Sequence, residues 1–121
     1  MFKHELFERF ELPSEIINDK RYYTTPTGEK YPSVTTVIGA NTDKSSLLAW
    51  RKRVGEEEAN KVSALASSRG TRIHNILEKY VLNDETHMEG VMPVNVQMIN
   101  QMKDILETRV GTIYGIEHPL F

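Results

Sequence analysis

The stretch from Glu56 to Leu82, EEEANKVSALASSRGTRIHNILEKYVL, decides the fold because its apolar residues recur at every third and fourth position. This spacing predicts two amphipathic helices. The first begins after Gly55, at three glutamates that favour a helix N-terminus, and ends at a break over 67–70, Ser-Ser-Arg-Gly. The second covers about 71–82, and its buried stripe consists of Ile73, Ile76, Leu77, Tyr80 and Val81.

Two further helices are predicted on either side of this stretch. One is capped by Thr42 or Asp43 and carries four apolar residues, Leu47, Leu48, Trp50 and Val54. The other is capped near Asn95, ends around Arg109 and exits through Gly111. The segment over 32–39 permits a strand or one or two helical turns. We favour helical turns, with Ser33 as N-cap and Gly39 as the stop.

The remaining segments predict a small amount of β-structure. Phe2 to Leu12 has helical spacing and predicts a short amphipathic helix before Pro13, whereas Arg21 to Tyr31 predicts a β-hairpin around a Pro-Thr-Gly turn. Residues 113–118 alternate apolar with polar and predict one strand, which needs a partner for its backbone hydrogen bonds. We therefore expect 1–121 to be a single, mostly helical unit with an N-terminal hairpin and one C-terminal strand, whose sheet continues beyond residue 121.

The composition excludes several classes of protein. The chain has 121 residues, a mass of 13.9 kDa and a mean hydropathy of −0.46, which is typical of a soluble domain. It has no cysteine, so a disulfide scaffold, a cysteine-ligated metal and a thiol nucleophile are excluded. No apolar run approaches the ~20 residues that span a bilayer. We expect a cytoplasmic protein that does not associate with membranes.

Basic residues concentrate in the middle of a mildly acidic chain. The net charge is −2, but 44–79 holds eight basic and four acidic residues, a balance of +4, which leaves −6 for the remainder. A locally basic segment suits a surface that faces phosphates. Solvated helix faces are the alternative explanation of the same charges.

His74 is the first candidate for a functional residue. At about 100° per residue it lies roughly 90° from the centre of the apolar stripe, at the border between buried and exposed faces. Glu78, one turn further on, is placed to orient its imidazole as second-shell carboxylates orient metal-binding histidines. A boundary histidine that bonds Glu78 and has no further role is the alternative.

The predicted break before this helix suggests an anion site. Gly70 permits close approach, while Arg69 and Thr71 add a cation and a hydroxyl to the free backbone N–H groups of a helix N-terminus. An ordinary turn between helices, with Thr71 as its cap, accounts for the same residues.

These residues together resemble a known family. Lys30-Tyr-Pro-Ser-Val-Thr-Thr-Val-Ile38, the run from Trp50 to Ala59, and Arg69-Gly-Thr-Arg-Ile-His74 are similar, in that order, to the N-terminal half of RecB-like, phage-type exonucleases. These belong to the PD-(D/E)xK nuclease superfamily and are related to the mitochondrial genome maintenance exonuclease. The likeness covers about half of the chain, from near Arg21 to Leu82.

The resemblance implies a fold, a metal and roles for particular residues. It implies an α+β protein with a restriction-endonuclease-like core, and Mg²⁺ or Mn²⁺ held in part by His74 and Glu117, the latter being catalytic. Glu78 lies in the second shell. Five residues are implied to contact DNA, single-stranded by expectation: Arg69, Thr71, Lys44, Arg51 and Arg53.

Two motifs of the family are not found in the chain. No Gly-x-x-Asp and no Asp/Glu-x-Lys follows Glu117, and these motifs supply the remaining carboxylates and the lysine that a hard divalent cation and its water need. We expect the chain to be the N-terminal part of a metal-dependent DNA exonuclease, inactive alone, with a separate C-terminal nuclease fragment as a possible partner. The alternatives are a non-catalytic helical DNA-binding or interaction module and one half of a split nuclease.

Overall fold

A computed structural model describes residues 1–121 as a mixed α+β protein that is mostly helical. Its elements are β1 (Ser14–Ile17), β2 (Lys20–Thr24), β3 (Lys30–Pro32), α1 (Val34–Asn41), α2 (Ser45–Val54), α3 (Glu56–Val81) and α4 (Pro93–Arg109). None of the helices has the length and the apolar character that crossing a membrane requires.

The chain divides into two compact units. The sheet unit consists of Glu8–Val54 with Glu117–Phe121, and the long-helix unit consists of Met1–Phe7 with Gly55–Ile116. The sheet unit therefore carries β1 to β3, α1 and α2, and the long-helix unit carries α3 and α4.

The predicted hairpin is confirmed as β2 and β3, and a further strand extends it to a three-stranded antiparallel sheet in the order β1-β2-β3. The turn between β1 and β2 consists of Asn18 and Asp19 alone, with φ of 51° and 62°. Two positive φ angles in a two-residue loop define a type I′ turn, which asparagine and aspartate tolerate well. In the second turn, Gly28 has φ 88° and donates its N–H to the carbonyl of Thr25.

The predicted helical turns after Pro32 form α1. Ser33 is the N-cap, and its hydroxyl accepts the N–H of Thr36 at 3.2 Å. The predicted stop at Gly39 is wrong, because α1 continues to Asn41. At α2 the carboxylate of Asp43 accepts the N–H of Ser45 at 2.9 Å, and this bond lowers the pKa of Asp43.

The predicted break over 67–70 is wrong. Helix α3 runs without interruption for 26 residues, about 39 Å, from the N-cap Gly55 at φ 90°. Gly70 is an interior residue, and a Cβ built on it meets nothing within 4 Å. One glycine costs a helix only about 1 kcal/mol relative to alanine. The helical segments on both sides of Gly70 therefore propagate through this position and form one helix.

The predicted N-terminal helix over Phe2–Leu12 is also wrong. Residues 3–7 run extended beside 113–114, with a parallel bridge between His4 and Ile113. The N–H of Glu5 and the carbonyl of Lys3 both bond to Ile113, at 2.9 and 2.8 Å. Because a helix of this length is marginal on its own, a pairing that satisfies the backbone takes precedence.

The C-terminal strand predicted over 113–118 is reduced to that one bridge at Ile113. The N-terminal segment is further held at Phe2, whose N–H and carbonyl both bond to the side-chain amide of Asn83, at 2.7 and 2.8 Å. The start of the chain is thus attached to the end of α3.

The core of the long-helix unit lies where α3 packs against α4. Ala59 and Ile99 are fully buried, and Ile113 is 8% exposed. Helix α4 begins at Pro93, with Met92 as N-cap, rather than at the predicted cap Asn95, because proline suits the first helical position. Asn95 is buried instead.

Candidate functional site

A cavity of about 650 Å³ lies against the sheet. Its floor is one face of the β2–β3 hairpin, formed by Tyr23, Thr25, Glu29, Tyr31 and Ser33. Within the strands, Tyr23 and Tyr31 alternate with residues whose side chains point to the other face, and Thr25, Glu29 and Ser33 lie directly beyond the strand ends. Tyr23 and Tyr31 are direct partners across the hairpin, so both tyrosines lie next to each other in the floor.

Hydrogen bonds fix the polar part of this floor. Thr25 is 5% exposed, and its hydroxyl accepts the N–H of Glu29 at 3.1 Å. The Tyr31 hydroxyl donates to the carboxylate of Glu29 at 2.6 Å, and this bond and the nearby negative charge raise the pKa of Tyr31. Glu29 is therefore held at the rim of the floor with one carboxylate oxygen engaged.

Two segments of the sheet unit form the walls. One is 9–12, and the other is 117–121. The ring of Phe10 packs edge-on against His118 and Phe121, with centroid distances of 5.3 and 5.9 Å, and so joins the two walls. Glu117, the residue implied to be catalytic, lies in the second wall.

Glu117 has an unusual backbone. Its φ is 49°, in the left-handed region that residues other than glycine, asparagine and aspartate rarely occupy. It lies outside any strand, so the strand predicted to present it is not formed. Its position in the wall is set by this local backbone conformation.

The charge of the cavity is acidic. Glu11, Glu29 and Glu117 line it, whereas its basic side chains are Arg9 and His118, and the guanidinium of Arg9 bonds Glu11 at 3.0 Å. A bare phosphate is therefore disfavoured inside the cavity.

The other implied metal ligand, His74, lies in the long-helix unit. It is exposed on α3, outside the border position that the stripe predicted. Helical geometry places Thr71 and Glu78 on the same side as His74, at spacings of three and four residues. Arg69 lies about 140° away, on the side of the apolar stripe.

The anion site predicted at Gly70 is not formed. Because α3 is continuous, the backbone N–H groups of Gly70 and Thr71 belong to the interior of a helix rather than to a free N-terminus. Arg69 and Thr71 keep only their exposed side chains for a contact with DNA.

The remaining implied DNA contacts belong to the sheet unit. Lys44 lies just before α2, where its carbonyl accepts the N–H of Leu48, and Arg51 lies within the helix, seven residues further on. Arg53 lies about 200° from Arg51, on the opposite side. The three basic residues thus do not share one face.

The residues present do not fit a metal site by themselves. His74 belongs to the long-helix unit and Glu117 to the sheet unit. No group of three or more histidine, aspartate or glutamate side chains is placed to hold a metal ion. Mg²⁺ prefers several hard oxygen ligands, so a site that includes His74 and Glu117 needs further carboxylates.

Sequence reasoning missed the two tyrosines of the floor. The signal was present, since Tyr23 and Thr25, at the end of one strand, and Glu29, Tyr31 and Ser33, in and around the next, alternate with the period of two that puts side chains on one face.

The chain matches no protein-family model, no curated protein and no solved structure. The resemblance to RecB-like exonucleases therefore stays a prediction from the sequence.

Proposed function

We propose that this chain is the DNA-guiding part of a metal-dependent exonuclease that hydrolyses single-stranded DNA ends. In this proposal it belongs with the RecB-like enzymes of the PD-(D/E)xK superfamily, completes a restriction-endonuclease-like core with a C-terminal segment, and acts in the cytoplasm, that of the host if a phage encodes it. The observation that carries the proposal is the placement of Glu117 in the wall of an open cavity with a left-handed backbone.

A strained backbone at a candidate site supports a role for the residue that bears it. Holding a glutamate in the left-handed region costs on the order of 1 kcal/mol or more, and such residues cluster at active sites and ligand clamps. Glu117 is also exposed, so its carboxylate is not needed to fill a core. The conformation supports a functional role for Glu117.

The basic side of α2 supports a path for the strand. Lys44, just before α2, and Arg51, within it, are seven residues apart, and a spacing of roughly 10 Å along the helix axis suits contacts to a DNA backbone. Contacts of this kind bind and orient a strand without reading its sequence.

The metal supplies one kind of chemistry when it is bound: it polarises the scissile phosphate and activates water. In this proposal the two motifs that this chain lacks, Gly-x-x-Asp and Asp/Glu-x-Lys, bring the further ligands on a C-terminal fragment. His74 and Glu117 contribute ligands from this chain, and the chain alone is expected to be inactive.

Binding of DNA by the chain alone is the first test. Fluorescence anisotropy with a single-stranded oligonucleotide, over a range of salt concentrations, measures affinity and its salt slope. In the double variant Lys44→Ala/Arg51→Ala we expect weaker binding and a salt slope reduced by about 1.4, because each of the two phosphate contacts to a single strand contributes about 0.7. The charge-matched control Lys3→Ala/Lys20→Ala should bind like the unaltered chain, and equal losses in both variants would contradict a path along α2.

Cleavage is the second test. The chain joined to a C-terminal nuclease segment that carries the two missing motifs should degrade single-stranded ends in Mg²⁺ or Mn²⁺. His74→Ala should abolish or strongly reduce this activity, whereas Asn75→Ala, at the neighbouring position on the same helix, should retain it. Full activity of the His74→Ala variant would refute the assignment.

A non-catalytic DNA-binding or interaction module is the second candidate. It is favoured by the helices of the sheet unit, α1 and α2, which bury no residue and leave Val34 75% and Leu48 63% exposed. Salt-dependent binding of single strands without cleavage, with the C-terminal segment and metal both supplied, would favour this candidate over the nuclease.

A further inference from the structure

We propose that the cavity of the sheet unit binds one unpaired nucleobase, the terminal base of a DNA strand, on a platform made by Tyr23 and Tyr31. The inference rests on the proposed function, since it names the part of the substrate that the cavity takes. The family resemblance implies no role for these two tyrosines.

The platform follows from the register of the hairpin. Tyr23 and Tyr31 are opposite each other on β2 and β3, where Cβ atoms are about 4.5–5.5 Å apart. Both line the cavity, and Tyr31 is 51% exposed, so its ring is accessible. Aromatic rings on a sheet stack with unpaired bases of any kind, which is how many single-strand-binding proteins gain affinity.

The size of the cavity limits the ligand. Its volume of about 650 Å³ lies inside the range of about 300–1,000 Å³ that is usual for pockets holding small organic molecules. One base with its sugar is a ligand of that class, whereas a duplex end is far larger. The cavity therefore suits a single nucleoside at a frayed or single-stranded end.

The charge of the cavity determines how the nucleotide enters. Three carboxylates and one arginine, which is itself paired with Glu11, disfavour a phosphate in the interior. The base must enter first, with its phosphate left at the mouth in solvent. Binding in the cavity is thus led by stacking rather than by phosphate contacts.

The polar groups of the lining give a preference among bases. The carboxylate of Glu29 accepts hydrogen bonds, and one of its two oxygens already accepts from Tyr31. Guanine offers a ring N–H and an amino group side by side, and adenine and cytosine each offer an amino group. Thymine offers one N–H between two carbonyl oxygens, which carboxylates repel. We expect the order guanine, then adenine and cytosine, then thymine.

The test compares hexanucleotides in the presence of EDTA, so that no cleavage occurs. A thymidine hexamer is compared with hexamers that carry guanine at the 3′ or the 5′ end, by fluorescence anisotropy with the label at the other end. The unaltered chain should bind one guanine-ended hexamer several-fold more tightly than the thymidine hexamer. Tyr23→Leu/Tyr31→Leu should lose about tenfold in affinity for it, as expected for the removal of base stacking.

Tyr22→Leu is the matched control, because Tyr22 lies on the same strand with its side chain on the other face of the sheet. It should bind like the unaltered chain. Because the double tyrosine variant could lose affinity by failing to fold, Glu29→Gln serves as a second variant. It keeps both tyrosine rings and should reduce the preference for guanine without abolishing binding.

The outcomes separate this inference from the proposed function. Equal affinity of the unaltered chain and the double tyrosine variant for every hexamer would overturn the base site, and it would leave the phosphate path along α2 intact. Absence of all hexamer binding would count against the proposed function as well. Displacement of the hexamer from the cavity by a short arginine-containing peptide that binds more tightly would overturn the inference by identifying a cationic occupant.

Discussion

At the scale of single residues, the surroundings of Tyr80 show how the long-helix unit is held together. The Tyr80 ring packs edge-on against Phe2 with centroids 5.2 Å apart, lies 5.0 Å from the ring of His87, and receives the ammonium of Lys103 at 4.8 Å. Its hydroxyl donates to the carboxylate of Glu107. The ring therefore links the N-terminal segment, the loop after α3 and helix α4.

This environment predicts a loss of stability at high pH. Burial, followed by the hydrogen bond to Glu107 and its negative charge, raises the pKa of Tyr80 from 10.0 to about 12. Between these two values the folded chain keeps the phenolic proton that the unfolded chain has lost. The contribution of Tyr80 is therefore complete below pH 10.0 and is lost as the pH rises through about 12.

Urea unfolding at about pH 9 and about pH 11 measures this effect. The unaltered chain should lose more stability between the two values than Tyr80→Phe, which has no proton to titrate at this position. The comparison with Tyr80→Phe removes the contributions of other groups that titrate in the same range, Tyr31 among them. An equal loss in both proteins would show that the Tyr80 hydroxyl is not protected by its contacts.

Residue-level prediction from sequence succeeded where the chemistry is local. Ser33 caps α1 as expected, because a serine after a proline can reach the N–H of Thr36 without help from distant parts of the chain. The turn at Asn18 and Asp19 was readable in the same way, although it was missed. The left-handed backbone of Glu117 was not readable, since glutamate has no preference for that conformation.

At the scale of elements, prediction succeeded for segments whose periodicity agrees with their caps. Helices α2 and α4 have regular apolar spacing and both form, although α4 begins at Pro93, before the predicted cap Asn95. The segment over 2–12 has the same spacing but forms no helix, because 3–7 pairs with 113–114 far along the chain. Such a non-local pairing leaves no trace in local periodicity.

Gly70 gives a test of the continuous helix α3. In the interior of a helix, Gly70→Ala should stabilise the chain by about 1 kcal/mol, because alanine has the higher helix propensity and its Cβ meets nothing within 4 Å. If the helix instead broke at this point with a positive φ, the same substitution would destabilise the chain. Thermal or urea unfolding shows whether the Gly70→Ala variant is more stable or less stable than the unaltered chain.

Gly55→Ala is the matched control for this test. Gly55 has φ 90° at the N-cap of α3, a conformation that alanine resists, so the substitution should lower stability although the space beside it is equally open. A gain of stability in Gly70→Ala together with a loss of stability in Gly55→Ala would confirm one uninterrupted helix from Glu56 to Val81. A loss of stability in both variants would contradict a continuous helix.

At the scale of the whole molecule, the chain exposes more surface than its mass requires. Its accessible surface is 9611 Å², whereas a compact monomer of this mass exposes about 6,700 Å², and even two separate globules of half the mass would expose about 8,000 Å² together. Large apolar side chains contribute to the excess, among them Val34, Leu48, Leu65 and Val94. Composition could not reveal this, since an ordinary apolar content says nothing about how much of it is buried.

The excess accessible surface of the folded chain predicts a shallow unfolding transition. A chain of 13.9 kDa exposes about 20,000 Å² when unfolded, so folding removes only about half of that area rather than the usual two-thirds. Because the urea m-value scales with the area exposed on unfolding, the chain alone should have an m-value about three-quarters of that of a compact protein of equal length. The calorimetric heat-capacity change of unfolding should also be smaller than usual, since it too follows the newly exposed area.

The m-value and the heat-capacity change should both be independent of protein concentration. A full-sized m-value that rises with concentration would instead show that copies of the chain cover one another's apolar residues.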